Sequence, residues 1–206
     1  MKNRKGLNNG GFSLIELIVA ILILGIISGG AVLGFSSVLN AKVDSAAKKL
    51  ISVLKQTRTT AMGLLNGQNG DKSTVYMKLY LDNGNYFASV YNDSNLLLTE
   101  KLGNDNLSFE LGEHTDSGDT TAVIVGDGLT NSDIVYVYFK KGTGGICLIE
   151  GLKASGTDDE DYTDSNYILV KGIKETQKII LVGVTGRAYL SGETDEVTIT
   201  PAPSEP

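Results

Sequence analysis

The chain has 206 residues, with 18 basic and 24 acidic side chains, a formal net charge of −6, one cysteine and one histidine. A lone cysteine excludes an intrachain disulfide, and a lone histidine excludes a histidine-cluster metal centre. The acidic balance disfavours bulk attraction to nucleic acid or to an anionic surface, and the length suits one globular domain of moderate size beside a single long apolar run.

That run comes first. From Phe12 to Leu39 the only charged residue is Glu16. A helix from Phe12 to Phe35 at about 1.5 Å per residue is about 36 Å long, enough for a hydrocarbon core of about 30 Å with some tilt. Lys2, Arg4 and Lys5 precede it with no acidic residue among them, so the positive-inside rule keeps the N-terminus cytoplasmic and exports the remainder. The apolar stretch is too long for a conventional cleaved signal. A carboxylate at membrane depth costs about 2.5 to 3.5 kcal/mol on insertion scales, so Glu16 requires a partner and a role.

The tract Gly11-Phe12-Ser13-Leu14-Ile15-Glu16, continuing through the apolar residues to Ile27 after a short basic leader, resembles the processing and assembly segment of type IV pilins and secretion pseudopilins. The resemblance implies cleavage between Gly11 and Phe12 by a prepilin peptidase on the cytoplasmic side, followed by N-methylation of Phe12. It also implies that Glu16 neutralises the terminal ammonium of a neighbouring subunit during assembly. Opposite charges about 4 Å apart attract by about 4 kcal/mol at an effective dielectric of 20, and the positive end of the helix dipole adds a smaller term. Loss of the three leader cations takes the net charge from −6 to −9.

From Asn40 to about Leu65 the helical pattern becomes amphipathic, with Val43, Ala47, Leu50, Leu54, Ala61 and Leu65 at spacings of three, four and seven. Arg58 falls close to this seam, its stem expected against sheet and its head at the rim or on a carboxylate. In the setting Gln56-Thr57-Arg58-Thr59-Thr60-Ala61-Met62 it resembles the arginine-alanine stretch of H-type minor pseudopilins and related minor pilins. Gly25, Gly29, Gly30 and Gly34 have small-xxx-small spacings, which suit either close helix packing or local unwinding on filament entry.

After Gly67-Gln68-Asn69-Gly70 the period becomes that of strands. Thr74–Leu81 and Tyr86–Tyr91 are joined by Asp82-Asn83-Gly84-Asn85, whose Asn-Gly pair signals a hairpin. Further strands are expected at 95–102, 107–111, 121–125, 134–140, 145–149, 167–172, 178–184 and 187–190, forming one or two antiparallel sheets. Cys147 lies in an apolar run and is expected to be buried as a small hydrophobe. His114 is expected in a surface loop. Asp158-Asp159-Glu160-Asp161 is expected to be a solvated acidic loop; it has hard oxygen ligands but no EF-hand spacing.

Lys178 to Leu190 resembles the terminal strand pair of the H-type pseudopilins, which often end in a Gly-Arg turn. In some competence-associated members a Gly-Arg-x-Arg motif contributes to DNA binding. Gly186 and Arg187 match it, and Tyr189 stands where the second arginine would be; a stacking role for Tyr189 is open, although the acidic domain favours a turn glycine followed by a rim arginine.

The expected fold is α+β and pilin-like: a long N-terminal helix, with a membrane half and an amphipathic half, packed against antiparallel sheet. The expected divisions are a leader at 1–11, an assembly helix at 12–39, an amphipathic half at 40–66, a β-rich domain at 67–200 and a flexible tail at 201–206. The resemblance implies a structural subunit: a minor pilin or pseudopilin that helps initiate or cap a type IV pilus or a type II secretion-like pseudopilus; the residues themselves support no enzyme activity, and no cofactor or metal is expected. The alternatives are a major pilin, or a tip pilin binding DNA or another ligand through Arg187 and Tyr189. The implied partners are prepilin peptidase, other pilin or pseudopilin subunits and the cytoplasmic membrane, crossed once before assembly into an extracellular or periplasmic filament; DNA is a less favoured partner.

Overall fold

The computed structural model describes residues 13–63, 72–115, 118–125, 134–152 and 159–192, with side chains given for these except 27–40, 121–123, 152, 159 and 160. Leu65, the Gly67–Gly70 turn, the leader and the tail at 201–206 lie outside the described residues. One helix, α1 (Leu14–Gly63), is followed by eleven strands: β1 (Lys72–Asp82), β2 (Asn85–Asn92), β3 (Asn95–Asn104), β4 (Ser108–Thr115), β5 (Gly118–Ile124), β6 (Ile134–Lys140), β7 (Ile146–Leu152), β8 (Asp159–Asp161), β9 (Tyr167–Lys171), β10 (Thr176–Val182) and β11 (Arg187–Leu190). The fold is α+β with two antiparallel sheets. The chain divides into two units at Val38/Leu39, and each is described separately.

In the first unit, every described side chain from Ser13 to Ile26 is exposed. Apart from Ser13 and Glu16, none in this stretch is polar, so the helix has no polar face to give to water. A helix that is apolar all round belongs in an apolar environment or against other helices. Gly25, Gly29, Gly30 and Gly34 all lie within continuous α1.

In the second unit, Val43, Ala46, Ala47, Leu50, Leu54 and Ala61 line one helix face and join the core contributed by both sheets. Each buried Leu or Val side chain contributes about 1.5 to 3 kcal/mol by leaving water. Thr57 is the polar intruder on this face, and its hydroxyl donates back to the Val53 carbonyl at 2.7 Å, which removes the penalty of an unpaired buried group.

The first sheet has the order β3-β2-β1-β6-β7-β8, and the second β11-β10-β9-β4-β5. Asn83 (φ 47°) and Gly84 (φ 69°) form the two-residue β1–β2 loop, the paired positive φ values that suit Asn-Gly. Alternation then sends Val75, Met77 and Leu79 inward and Tyr76, Lys78 and Tyr80 outward. On the outer face Tyr76 stacks on Tyr91, with ring centroids 5.4 Å apart and planes 11° apart, and also meets Tyr138 at 5.2 Å. Lys72 caps the Tyr138 ring at 3.6 Å. These cross-strand contacts occupy the ring faces and tie together β2, β1 and β6.

Three local expectations are corrected. Asp159–Asp161 is not loop but edge strand β8, paired with Glu150–Leu152 of β7; an edge strand needs backbone pairing and no apolar alternation. Asp158 lies outside the described residues. His114 is on β4, opposite Asp119 of β5, and not in a loop. Cys147 is half-buried: the β6–β7 register runs from Tyr138↔Leu148 to Phe139↔Ile146, which leaves Cys147 as the extra residue of a bulge. Burial nonetheless pushes its thiol pKa up, away from reactivity at neutral pH.

Candidate assembly site

Ser13 and Glu16 close a reciprocal cap at the start of α1. The Ser13 backbone N–H donates to Glu16 Oε2 at 2.9 Å, and the Glu16 N–H donates to Ser13 Oγ at 3.3 Å. This is a capping box, satisfying two backbone donors that a helix start leaves unpaired. The Ser13-x-x-Glu16 spacing carries the signal, overlooked when Glu16 is read only as an intermolecular partner. A carboxylate has about four lone-pair sites, so the cap leaves Glu16 able to accept a second donor. Gly11 and Phe12 lie outside the described residues.

At the other end of α1 the C-terminal hairpin is clasped. The β10–β11 turn, Gly183 to Gly186, is closed by the Gly186 N–H donating to the Val182 carbonyl at 2.6 Å. The Gly183 carbonyl accepts from the Ile146 N–H at 2.7 Å, joining the turn to β7 of the other sheet. Arg58 Nε donates to the Thr185 carbonyl at 2.7 Å, half-buried at the turn, so its head meets a backbone carbonyl and not a carboxylate. Arg58 and Met62 also lie against Gly144 in the β6–β7 turn, where a Cβ would strike them. Helix and both sheets therefore converge on these two turns. Replacing Arg58 with Met should keep the stem packing but strand the Thr185 carbonyl, a loss of about 1 to 2 kcal/mol, read as a lower urea midpoint with an unchanged m-value.

Arg187 and Tyr189 project to the outer side of edge strand β11, Arg187 exposed and Tyr189 partly so, while Ala188 and Leu190 face the core. The structure thus places both candidates on one face, about two strand residues apart.

A family model described as the prokaryotic N-terminal methylation motif matches residues 1–32. The chain carries the type IV prepilin signature. No curated protein and no solved structure gives a significant match. The signature supports a type IV pilin-like or pseudopilin protein, and proteins that carry this motif are structural subunits. It implies processing by prepilin peptidase, assembly with other pilin subunits, and a membrane-anchored precursor that enters a filament. Among the described residues, no helix is long and apolar enough to cross a membrane.

Elsewhere on this prepilin-type chain, among the described residues, no group of three or more His, Cys, Asp or Glu is placed to hold a metal ion. Asp119, on edge strand β5 of the second sheet, meets His114 Nδ1 of β4 with one oxygen and Lys178 Nζ of β10 at 2.7 Å with the other, and the Lys178 ammonium lies 4.2 Å above the Tyr167 ring. The hydrogen bonds from Lys178 and His114 hold the Asp119 carboxyl below its ordinary value of 3.8. A lowered carboxyl pKa contributes stability that is present above the unfolded value and lost as pH falls through the folded one. Asp119→Asn should therefore lower the urea midpoint at neutral pH, with the difference from the parent protein shrinking as pH falls below 3.8.

Proposed function

We propose that this chain is a minor pilin or pseudopilin, a structural subunit that helps initiate or cap a type IV pilus or a type II secretion-like pseudopilus. The observation that carries this reading is the prepilin signature at residues 1–32, with Glu16 at the start of an exposed apolar helix. Prepilin peptidase cleaves between Gly11 and Phe12, Phe12 is N-methylated, and residues 12–39 cross the cytoplasmic membrane once with the N-terminus inside. In the filament Glu16 pairs with the terminal ammonium of a neighbouring subunit, and the amphipathic half of α1 lies beneath the β-rich domain. The chain acts without enzymatic activity. The minor, H-like assignment draws on Arg58 and the Gly186-Arg187 turn, two positions that resemble that subfamily in sequence and that meet through Thr185.

The test is quantitative mass spectrometry of sheared filaments and of the matching membrane fraction. Trace incorporation of a form beginning at methylated Phe12 is expected; dominance in the filament would make the chain a major pilin. A second reading, a DNA-binding or other ligand-binding tip pilin, draws on the shared outer face of Arg187 and Tyr189. Under it, Arg187→Glu abolishes salt-sensitive DNA binding without changing filament number; unchanged binding would sink it.

A further inference from the structure

Within the second unit, the outer face of α1 is a basic stripe on an acidic body. From Leu39 to Gly63 the chain carries Lys42, Lys48, Lys49, Lys55 and Arg58 against the single acid Asp44, whereas residues 64–206 carry 10 basic and 22 acidic side chains. Lys42, Ser45, Lys48, Ser52 and Lys55 follow one another at spacings of three and four, and all are exposed. A groove runs along each flank of this stripe. One, of about 310 Å³, is lined by Lys49, Ser52, Val53 and Gln56 with Leu98 and Glu100 of β3. It already holds its own carboxylate: Glu100 Oε1 meets Lys49 Nζ at 2.7 Å, and the same ammonium donates to the Lys101 carbonyl at 2.8 Å.

The other groove, of about 290 Å³, is lined by Lys48, Ile51, Ser52 and Lys55 with Leu190 of edge strand β11. Ile51 and Leu190 give it an apolar floor, and two ammonium groups stand at its rim. Asp44 pairs with Lys48 at 2.9 Å, yet an ammonium has three donors and can take a second acceptor. Lys55 makes no ion pair among the described residues. The chain leaves β11 at this groove, where the Ser191 N–H donates to the Lys178 carbonyl at 2.7 Å. The next eight residues, which lie outside the described ones, are Glu193-Thr194-Asp195-Glu196-Val197-Thr198-Ile199-Thr200. They hold three acids and no base, and end in apolar alternation. In extended form Glu193, Asp195, Val197 and Ile199 share one side. Eight extended residues reach about 26 Å, against about 10 Å of helix between Lys48 and Lys55, so the segment is long enough to cover the groove from its point of exit.

We propose that residues 193–200 occupy the groove between β11 and α1, with Glu193 and Asp195 on the ammonium groups of Lys48 and Lys55 and with Val197 and Ile199 against Ile51 and Leu190. The acidic segment selects this groove over its neighbour because Glu100 repels it from the other flank. The contact closes one side of the basic stripe to anionic partners until the segment is displaced, and it stands independently of the assembly reading above. Tethered beside its groove, the segment acts at an effective concentration of about 1 mM, so an intrinsic Kd of about 0.1 mM gives about tenfold occupancy.

The test uses the full chain in detergent micelles with Cys147→Ser, beside the same chain ended after Gly192. Ser52→Cys, in the middle of the stripe, and Val184→Cys, 90% exposed on the β10–β11 turn, supply single thiols for alkylation by a maleimide. Ser52→Cys is expected to react about tenfold more slowly in the full chain than in the shortened one, at every protein concentration, while Val184→Cys reacts alike in both. Combining Lys48→Glu with Lys55→Glu should abolish the difference at position 52, and adding Glu193→Lys and Asp195→Lys should restore it. Equal rates at position 52 in the full and shortened chains overturn the proposal, as does protection that survives the lysine reversals. Slowing that rises with protein concentration places a second copy in the groove and overturns it as well.

Discussion

Gly186→Ala is expected to destabilise the second unit by about 3 to 5 kcal/mol, among the larger effects a single substitution produces. Two causes combine. Gly186 has φ +64°, a left-handed conformation that strains an alanine. Its missing side chain also gives the Gly144 carbonyl its place, and Phe139 Cδ1 crowds the same space. Backbone, unlike a flexible side-chain tip, cannot step aside without moving the β6–β7 turn and, with it, Arg58 and Met62 of α1. Gly183, three residues earlier in the same turn, has nothing within 4 Å of where a Cβ would sit. Gly183→Ala should therefore stay within about 0.5 kcal/mol of the parent protein. Thermal unfolding separates the two: a drop of roughly 10 °C for Gly186→Ala and almost none for Gly183→Ala. Equal midpoints would show that the two turns do not bear on one another as described.

The second large effect is on assembly. Glu16→Val should leave cleavage at Gly11/Phe12 intact and reduce incorporation into filaments by orders of magnitude, because an attraction of about 4 kcal/mol corresponds to about a thousandfold in an equilibrium. The capping box complicates this result, since the same substitution also removes an acceptor for the Ser13 N–H. Ser13→Ala separates the two roles. It abolishes the Ser13 Oγ contact at a cost of about 1 kcal/mol to the helix start and leaves the Glu16 carboxylate in place. Assembly should survive Ser13→Ala and fail with Glu16→Val, read from the ratio of processed chain in sheared filaments to that in membranes. Comparable losses in both would assign Glu16 to capping alone.

Much of the architecture is legible in local sequence, for reasons that differ by element. The seam of Val43, Ala47, Leu50 and Leu54 repeats at helical spacing and is buried as that spacing requires. The Asn83-Gly84 pair selects its turn because few other residues tolerate two consecutive positive φ values. Strand β8 is not legible, because Asp159-Glu160-Asp161 pairs through its backbone with β7 and shows no apolar rhythm. The bulge at Cys147 is equally silent: alternation within an apolar run predicts a face but not a skipped partner. Arg58 shows a third kind of limit. Its place near the seam follows from helix spacing, whereas its carbonyl partner is 127 residues away and depends on tertiary structure. At the N-terminus, the Gly11/Phe12 junction is read from the motif, and the Ser13 to Glu16 cap was readable from spacing alone.

The strands alternate between sheets along the chain: β1 to β3 in the first, β4 and β5 in the second, β6 to β8 back in the first, and β9 to β11 in the second. Strand β9 lies between β4 and β10, so β4 and β5 have no inner neighbour until the last third of the sequence is present. Such non-local pairing slows folding. A chain delivered N-terminus first therefore exposes half-finished sheet edges until its C-terminal hairpin arrives, and those edges are where premature association with other chains would begin.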